Sequence, residues 1–334
     1  MVPPRHGRTG IGARRDPRNC TTSSVSCLCD ARQPREKTPV NHQPVDTEPV
    51  RVVRHPDGVV ELRLDDPGRG NALDLRTAEA LRDMTAQVAA DPGGAVLLRA
   101  TGANFCVGGD LRSFTGLGAK TGPYVHAVAT AAHAAVRALH ELPVPVVAAV
   151  RGAAAGGGIG LALVADLVLA ARSARFRLAY TAIGLSPDCG ASWFLPRLVG
   201  PRLAADLILT NRVLTGDDAE RHGLISRTVG DDELDEAAYR TAAELAAGAG
   251  EALRASKSLL CDDDTRGDLR RHLAEEARLI ARLADGPEAQ ARMASFLTSR
   301  SRAAVAGGAT GASRPGRLTV PGKPGPEPEP KSVS

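Results

Sequence analysis

Short apolar runs along this chain are separated by longer stretches in which apolar residues recur every three or four positions. Apolar and polar residues alternate over Val50–Arg54 and again over Val59–Leu64, with His55–Gly58 between them, which predicts a β-hairpin. Continuous apolar runs predict three further strands that are buried, at 95–100, 146–150 and 167–171.

Helical periodicity fills the stretches between these strands. Leu75–Ala90 carries its apolar residues on one side, and an Ala-rich helix is predicted from Pro123 to Leu142, where Pro143 and Pro145 end it. Further helices are predicted after the glycines at 156–158, at 190–198, and near the C-terminus at 251–262, 267–284 and 287–301. Because short strands alternate with helices, the pattern predicts an α/β fold with largely parallel strand pairing.

Three consecutive glycines, Gly156, Gly157 and Gly158, stand where a loop enters a short apolar helix. Glycine lets the backbone approach a ligand closely because it has no Cβ atom. The first N–H groups of a helix have no intrahelical partner, and they lie at the positive end of the helix dipole. The segment is therefore a candidate site for stabilising a negative charge that develops during a reaction.

The two ends of the chain differ in composition from its middle. Residues 1–48 and 304–334 are rich in Arg, Pro, Ser, Thr or Gly and have almost no apolar periodicity, so we expect a disordered extension and a disordered tail. A change near residue 250 separates a core at 49–248 from a helical region at 249–303. The apolar faces of that region suggest contacts with other subunits.

Composition and charge exclude several classes of protein. The formal net charge of +4 over 334 residues is small, and much of the Arg and Lys lies in the two ends, which disfavours nucleic acid as a partner. No apolar run approaches the length of a membrane span. The six cysteines are scattered, and only Cys27 and Cys29 lie close in sequence, which favours a cytoplasmic protein with reduced thiols and no structural zinc.

Signatures of other site types are weak. His126, His133 and His140 are seven residues apart on one predicted helix, which separates neighbours by about 10 Å, so we interpret them as surface or packing residues rather than metal ligands. Cys189 beside Asp188 could be reactive, although a packed thiol is the simpler interpretation. The glycines at 156–158 do not complete a dinucleotide-binding motif, and no nucleophile elbow is present.

Four segments resemble, in the same order, the signatures of the crotonase, or enoyl-CoA hydratase/isomerase, superfamily. They are Pro67-x-x-x-Asn71-Ala72-Leu73, the loop Asn104–Leu111, the stretch Val150–Asp166 with its three glycines, and Gly184–Gly200. Each segment alone is a weak signal, but all of them in order and at family-like spacing are a strong one. The resemblance covers the chain from about residue 50 to about residue 303.

The resemblance implies a fold of stacked ββα turns, the crotonase-like superhelix, with an all-helical C-terminal region that makes homotrimers, often paired into hexamers. It also implies acyl-CoA thioester substrates, with coenzyme A as part of the substrate and neither a metal nor a separate cofactor. The N–H groups of Gly109 and Gly157 would bind the thioester oxygen. Other residues implied to contact the substrate lie in or beside the matching motifs: Arg69, Ala72, Gly108, Gly156, Tyr180 and Arg300. For Arg69 and Arg300, contact with the phosphates of coenzyme A and a plain surface role both remain open.

The sequence departs from the family's hydratases at the two glutamates that activate water. The corresponding positions hold Gly160 and Tyr180, and a tyrosine, with a reference pKa near 10, is no base for water at neutral pH. Tyr180 could line the acyl pocket, hydrogen-bond the intermediate or simply pack. Asp188 stands where family members that move a double bond carry an acid, and members that act on ring-epoxide aryl-acetyl-CoA thioesters share the Pro187–Gly190 sequence.

Asp188 has two competing interpretations. As a catalytic acid/base it would shift the double bond of an enoyl-CoA through a dienolate held by the glycine amides. As a helix N-cap it would precede the helix predicted at 190–198, since aspartate is a favoured cap. We expect an acyl-CoA isomerase, with an enoyl-CoA hydratase or related enolate chemistry, and a non-catalytic acyl-CoA binder, as the alternatives.

Overall fold

The computed structural model describes residues 48–260 and 263–307. The predicted N-terminal extension, apart from Glu48, and the predicted tail beyond Gly307 lie outside these residues. The strands are β1 (Val50–Arg54), β2 (Val59–Leu64), β3 (Ala95–Ala100), β4 (Val146–Val150), β5 (Ala153–Ala155), β6 (Leu167–Ala171), β7 (Arg175–Arg177), β8 (Leu214–Thr215) and β9 (Arg227–Val229). The α-helices are α1 (Leu75–Ala90), α2 (Leu111–Phe114), α3 (Thr121–His140), α4 (Gly157–Leu163), α5 (Ala191–Thr210), α6 (Gly216–Arg221), α7 (Leu234–Ala246), α8 (Gly250–Leu260), α9 (Asp263–Ala284) and α10 (Pro287–Gly307).

A six-stranded sheet forms the centre of the described chain, with the strand order β1-β2-β3-β4-β6-β9. The predicted hairpin is confirmed, because β1 pairs antiparallel with β2, and the strands from β2 to β9 then pair in parallel. Parallel strands are covered on both faces, which explains why β3 and β4 are continuous apolar runs rather than alternating ones. A second sheet of three strands, β5-β7-β8, runs beside the glycine segment.

Helices pack on the larger sheet and on one another. Helix α7 contacts β3, β4 and β6, whereas α1 packs against β1, β2 and α3. In the C-terminal region, α9 packs along α3, and Asp285, just after α9, accepts the Gly122 N–H at 2.6 Å. The core is built from aliphatic side chains such as Leu62, Leu97 and Ile159.

Several elements differ from the sequence prediction in their bounds. Helix α3 begins at Thr121, two residues before Pro123, because proline is accepted in the first turn of a helix. Helix α5 continues well past residue 198, across a break at Gly200, whose φ of 78° is not helical. Helix α10 continues to Gly307, so residues 304–307 are helical rather than part of a disordered tail. None of the helices in the described part of the chain has the length and apolar character that a bilayer span requires.

The turn after β2 is held by the buried side chain of Asn71. Its carboxamide accepts the Asp66 N–H at 2.8 Å and donates to the carbonyl oxygens of Thr101 at 3.0 Å and Asn104 at 2.9 Å. Asn71 also has a φ of 56°, a conformation that asparagine tolerates better than most residues. One side chain therefore fixes the loop after β3 against the turn after β2.

We expect Asn71→Ala to lower the free energy of unfolding by about 2–4 kcal/mol, because three hydrogen bonds are lost and a Cβ-bearing residue without a polar side chain is held at positive φ. Asn71→Gly removes the same hydrogen bonds but tolerates the φ, so it should cost about 1 kcal/mol less. Urea unfolding of both variants measures the difference. Equal stability of the two variants would contradict the role assigned to the backbone conformation.

Candidate active site

A cleft of about 1110 Å³ opens beside the glycine segment. Its wall includes every residue that the sequence placed in the site: Arg69, Ala72, Gly108, Gly109, Gly156, Gly157, Tyr180, Asp188 and Arg300. These residues come from distant parts of the chain, and the fold brings all of them to one cavity.

Gly109 lies in the loop that precedes α2 and forms a parallel bridge with Leu73. The two hydrogen bonds of that bridge use its neighbours, since the Leu73 N–H donates to Gly108 O at 2.8 Å and the Asp110 N–H donates to Leu73 O at 3.0 Å. In a parallel bridge the residue between those neighbours directs its own N–H away from the partner strand. The Gly109 amide is therefore free to serve a ligand from the opposite side.

Gly157 is the first residue of α4, after Gly156, whose φ is 51°. The Gly156 N–H donates to Arg177 O at 3.0 Å, whereas no hydrogen bond among the described residues uses the Gly157 amide. This is the expected state of a first-turn N–H, which has no intrahelical acceptor. A Cβ built on Gly108 would lie 2.7 Å from Ala155 O, so the loop of Gly109 touches the chain that leads into α4.

The following glycines of α4 have no room for side chains. A Cβ on Gly158 would lie 2.3 Å from Cys106 O, and a Cβ on Gly160 would lie 2.1 Å from Cys189 O. Gly160 is one of the two positions to which the resemblance noted in the sequence assigns a water-activating glutamate in hydratases. In this chain the backbone of Cys189 occupies the space that such a side chain would need.

The Asp188 side chain lies beside the first residue of α4, and it does not cap α5, the helix that follows it in the chain. A Cβ on Gly157 would be 3.3 Å from Asp188 Oδ1, and the Asp188 side chain is only partly buried because it faces the cleft. The N-cap of α5 is Gly190, and no side chain of its own segment caps it. The N-cap interpretation of Asp188 is therefore wrong.

Burial raises the pKa of Asp188 to about 6, and the nearby carboxylate of Glu276 adds to the rise. The hydrogen bonds from Tyr180 and the Cys189 thiol oppose it. A carboxyl with this pKa is ionised at neutral pH but still close enough to neutrality to carry a proton in either direction.

Tyr180, just before a 3-10 turn at Thr181–Ile183, is only 5% exposed. Its hydroxyl donates to Asp188 Oδ1 at 2.5 Å and lies 3.2 Å from Asp188 O. Burial raises the pKa of Tyr180 well above its usual value, and the charge of Asp188 raises it further. Tyr180 is thus a neutral hydrogen-bond donor to the carboxylate.

Glu276 of α9 caps α5 in place of Asp188. Its buried carboxylate accepts the Gly190 N–H at 2.8 Å and the Ser192 N–H at 3.3 Å, and the Ser192 hydroxyl donates to it as well. Sequence reasoning missed this residue, because Glu276 lies in a stretch of charged residues on a helix and is 86 positions from Gly190. Only the packing of α9 against α3 brings it there.

Two cysteines and a histidine surround the acid. Burial raises the pKa of the Cys106 thiol to about 12 and that of Cys189 well above its usual value, so both thiols are neutral. His133 Nε2 accepts the Cys189 N–H at 2.8 Å, and burial lowers the pKa of this histidine. His133, Asp188 and Cys189 are close enough to share a metal ion, but the His133 lone pair is already used by that amide. Of the other histidines of α3, His126 is exposed and His140 is partly buried.

The two arginines of the predicted site differ in their surroundings. Arg69 donates to the carboxylates of Asp66 at 2.7 Å, Asp74 at 2.5 Å and Asp110 at 3.3 Å. Three negative charges around one guanidinium leave no net positive charge for a phosphate, so the structure favours a structural role for Arg69. Arg300 of α10 is exposed at the cleft and is stacked over Phe296 at 5.7 Å.

The inner wall of the cleft is apolar. Its apolar side chains are those of Ala72, of three residues on α3, and of one residue each on α9 and α10: Val125, Val128, Ala132, Ile280 and Phe296. Such a wall suits a hydrocarbon group rather than a charged one.

Comparison with known proteins agrees with these features. The family model for enoyl-CoA hydratase/isomerase matches residues 54–303. A protein of Rhodobacter capsulatus named probable enoyl-CoA hydratase is 36% identical over 247 residues, which cover 73% of this chain and 93% of that one. The 1,2-epoxyphenylacetyl-CoA isomerase of Escherichia coli is 37% identical over 254 residues, covering 73% and 94%.

A solved structure is similar as well. The enoyl-CoA hydratase of Mycobacterium avium subsp. paratuberculosis superposes with a TM-score of 0.67 at 28% identity, over 74% of this chain and 98% of that one. The mixed α/β fold with a helical C-terminal region, expected from the motifs, is thereby confirmed.

Removing the Glu276 carboxylate should destabilise the protein. We expect Glu276→Ala to lower the free energy of unfolding by about 2–4 kcal/mol, because two amides and a hydroxyl lose their buried acceptor. Glu275→Ala is the matched control, since the neighbouring Glu275 is exposed and pairs with Arg278 on the surface, and its effect should stay within about 0.5 kcal/mol. Denaturant unfolding compares them, and similar losses in both variants would argue against Glu276 as the cap.

Proposed function

Because the chain belongs to the enoyl-CoA hydratase/isomerase family, we propose that it is an acyl-CoA isomerase that moves a carbon–carbon double bond in an enoyl-CoA thioester. The observation that carries the proposal is the carboxyl group of Asp188 in the cleft, next to the free amide of Gly157. The other carboxyl that lines the cleft, that of Asp110, is paired with Arg69 and accepts the Arg112 N–H. One acid is what a 1,3-proton shift requires.

In the proposed reaction the Asp188 carboxylate removes a proton from C2 of a 3-enoyl-CoA. The electrons of that C–H bond spread over a dienolate, whose charge collects on the thioester oxygen. Asp188 then returns the same proton to C4, so that the double bond lies between C2 and C3 and no atom is gained or lost.

The thioester oxygen would lie between the amides of Gly109 and Gly157. Both amides are free of protein acceptors among the described residues, and the start of α4 adds the positive end of its dipole. Each donor aimed at a developing oxyanion contributes about 3–4 kcal/mol in other enzymes. The proposed chemistry therefore needs no metal and no cofactor other than the coenzyme A of the substrate.

The acyl group would occupy the apolar wall of α3, α9 and α10. Arg300, exposed at the mouth, and Arg112, which also borders the cleft, are the candidate partners of the coenzyme A phosphates. Arg69 is a weaker candidate because three carboxylates surround it.

Water addition is the main alternative activity, and the relative from Rhodobacter capsulatus carries the name of a probable hydratase. Two features argue against water addition. Gly160 has no room for a side chain that could activate water, and Tyr180 is a neutral hydrogen-bond donor rather than a base. The similarity to an epoxyphenylacetyl-CoA isomerase makes an aryl-acetyl thioester a second substrate class for the same acid. A protein that binds acyl-CoA without catalysis would use the amides of Gly109 and Gly157 but would not need the raised pKa of Asp188.

Assembly into homotrimers, or hexamers made of two trimers, is part of the proposal. Its support is a set of leucines that stay exposed in the single chain, among them Leu209 at 69%, Leu259 at 86% and Leu260 at 86%. A contiguous exposed apolar patch is typical of a subunit contact, and Leu259 and Leu260 are neighbours at the end of α8.

The isomerase proposal predicts that the protein converts a 3-enoyl-CoA into the conjugated 2-enoyl-CoA, followed by ultraviolet absorbance. We expect Asp188→Asn to lower kcat by about 10²–10⁴-fold, because the proton carrier is lost while its shape is kept. In the wild type, kcat/KM should rise with pH to a plateau above about pH 6, since only the ionised acid is a base. Asp83→Asn, at an exposed carboxyl of α1, is the control. Hydration of a 2-enoyl-CoA that persists in Asp188→Asn would favour the hydratase, and thioester binding without turnover would favour the binder.

The raised pKa of Asp188 also predicts a stability change. The unfolded chain gives this group a pKa near 3.9, so the folded protein binds the proton more tightly and loses stability as the pH rises from about 4 to about 6. Above that range Asp188→Asn should raise the free energy of unfolding by about 1–3 kcal/mol, and the gain should vanish near pH 4. Urea unfolding at pH 8 and pH 4 measures it. A variant that is less stable than wild type at pH 8 would show that the carboxylate is not under strain.

A further inference from the structure

We infer that Tyr180 is a positioning residue for Asp188: its hydroxyl holds one carboxyl oxygen, Oδ1, and leaves the other, Oδ2, as the oxygen that carries the proton. The inference rests on the isomerase function proposed above and deepens it. It gives a role to a side chain that stands where the family's hydratases carry a water-activating acid.

The first support is the hydrogen-bond geometry. The Tyr180 hydroxyl lies 2.5 Å from Asp188 Oδ1, a distance typical of a strong bond to a charged acceptor. The Tyr180 phenol is buried. The backbone carbonyl of Tyr180 accepts the N–H groups of Ile183 at 3.0 Å and Leu185 at 3.0 Å, which fixes the residue in place. The donor is therefore held in place independently of the carboxyl that it binds.

The second support is the backbone on either side of the pair. Among the described residues, positive φ angles outside glycine occur at Asn71, Ala179, Cys189 and Asn211. Asparagine accepts this conformation readily, whereas alanine and cysteine do so at a steric penalty. Ala179, with a φ of 61°, precedes Tyr180, and Cys189, with a φ of 54°, follows Asp188. Strained residues that persist in a fold concentrate at functional sites, and here they flank both partners.

The third support is the charge around the carboxyl. The titratable groups that face Asp188 are the neutral Tyr180, the neutral thiols of Cys106 and Cys189, the buried His133 of α3, and the carboxylate Glu276 of α9. No cation among the described residues is paired with Asp188. The Tyr180 hydroxyl is therefore a principal group that stabilises its ionised form, together with the weaker thiol donor.

Tyr180→Phe tests the role, with Tyr239→Phe as a matched control. Tyr239 donates to Asp57 at 2.8 Å on the surface, so the control removes the same hydroxyl from another tyrosine–aspartate pair. In Tyr180→Phe we expect the acid limb of the kcat/KM profile to move up by about one pH unit, because a hydrogen bond to the charged form is lost. We expect kcat on the plateau to fall by about 10-fold, with KM little changed. The control should match the wild type in all three values.

A measurement without substrate separates this inference from the isomerase proposal. The Asp188 carboxyl carbon is followed by NMR in protein labelled at aspartate, with its signal identified by its loss in Asp188→Asn. A rise in the carboxyl pKa in Tyr180→Phe supports the positioning role even if the wild type shifts no double bond. An unchanged carboxyl pKa overturns the role even if the protein is an active isomerase.

The wild type offers a second readout in case Tyr180→Phe does not fold. The proton of a hydroxyl that donates to a carboxylate is shifted downfield in the proton spectrum, and this shifted signal should disappear in Asp188→Asn and at a pH well below 6. Absence of such a signal in the wild type at neutral pH would contradict the inference.

Discussion

The site depends on one packing constraint, which is the close approach of two backbone segments to the glycine face of α4. Cys106 O and Cys189 O lie where a Cβ on Gly158 or Gly160 would have to stand, at 2.3 and 2.1 Å. Any side chain at either glycine would push one segment away. Because Cys106 leads into the loop of Gly109 and Cys189 follows Asp188, the same contact brings the amide loop and the acid to one helix start.

The sequence predicts the parts of this arrangement that are local. The hairpin follows from the alternation of apolar and polar residues, β3, β4 and β6 follow from apolar runs, and the amide glycines follow from motifs that resemble a known family. The strands β5, β7 and β8 are only two or three residues long, too short for an alternation to be visible. The full length of α5 is hidden for a different reason, because Pro196 and Pro201 within it are usually signs of a helix end.

The side chains that set the electrostatics could not be predicted in the same way, because their partners are distant in sequence. An aspartate that precedes a predicted helix can be interpreted as a catalytic acid or as a cap, and only the contact of Glu276 with the start of α5 shows that another residue is the cap. Arg69 beside a substrate motif suggests a phosphate partner, until the fold brings Asp74 and Asp110 to its guanidinium. In both cases a neighbouring element supplies the charge that decides the role.

The two neighbouring carboxylates, Glu276 and Asp188, differ in the partners that stabilise their charge. The negative charge of Glu276 is satisfied by the amides at the start of α5, whereas Asp188 has one phenol, one thiol and no cation. Its ionised form is therefore held at a free-energy cost that burial imposes. In the proposed reaction, proton abstraction neutralises this strained carboxylate and transfers the charge to an oxygen between two free amides. The cost of holding Asp188 in its ionised form would then favour the step that forms the dienolate.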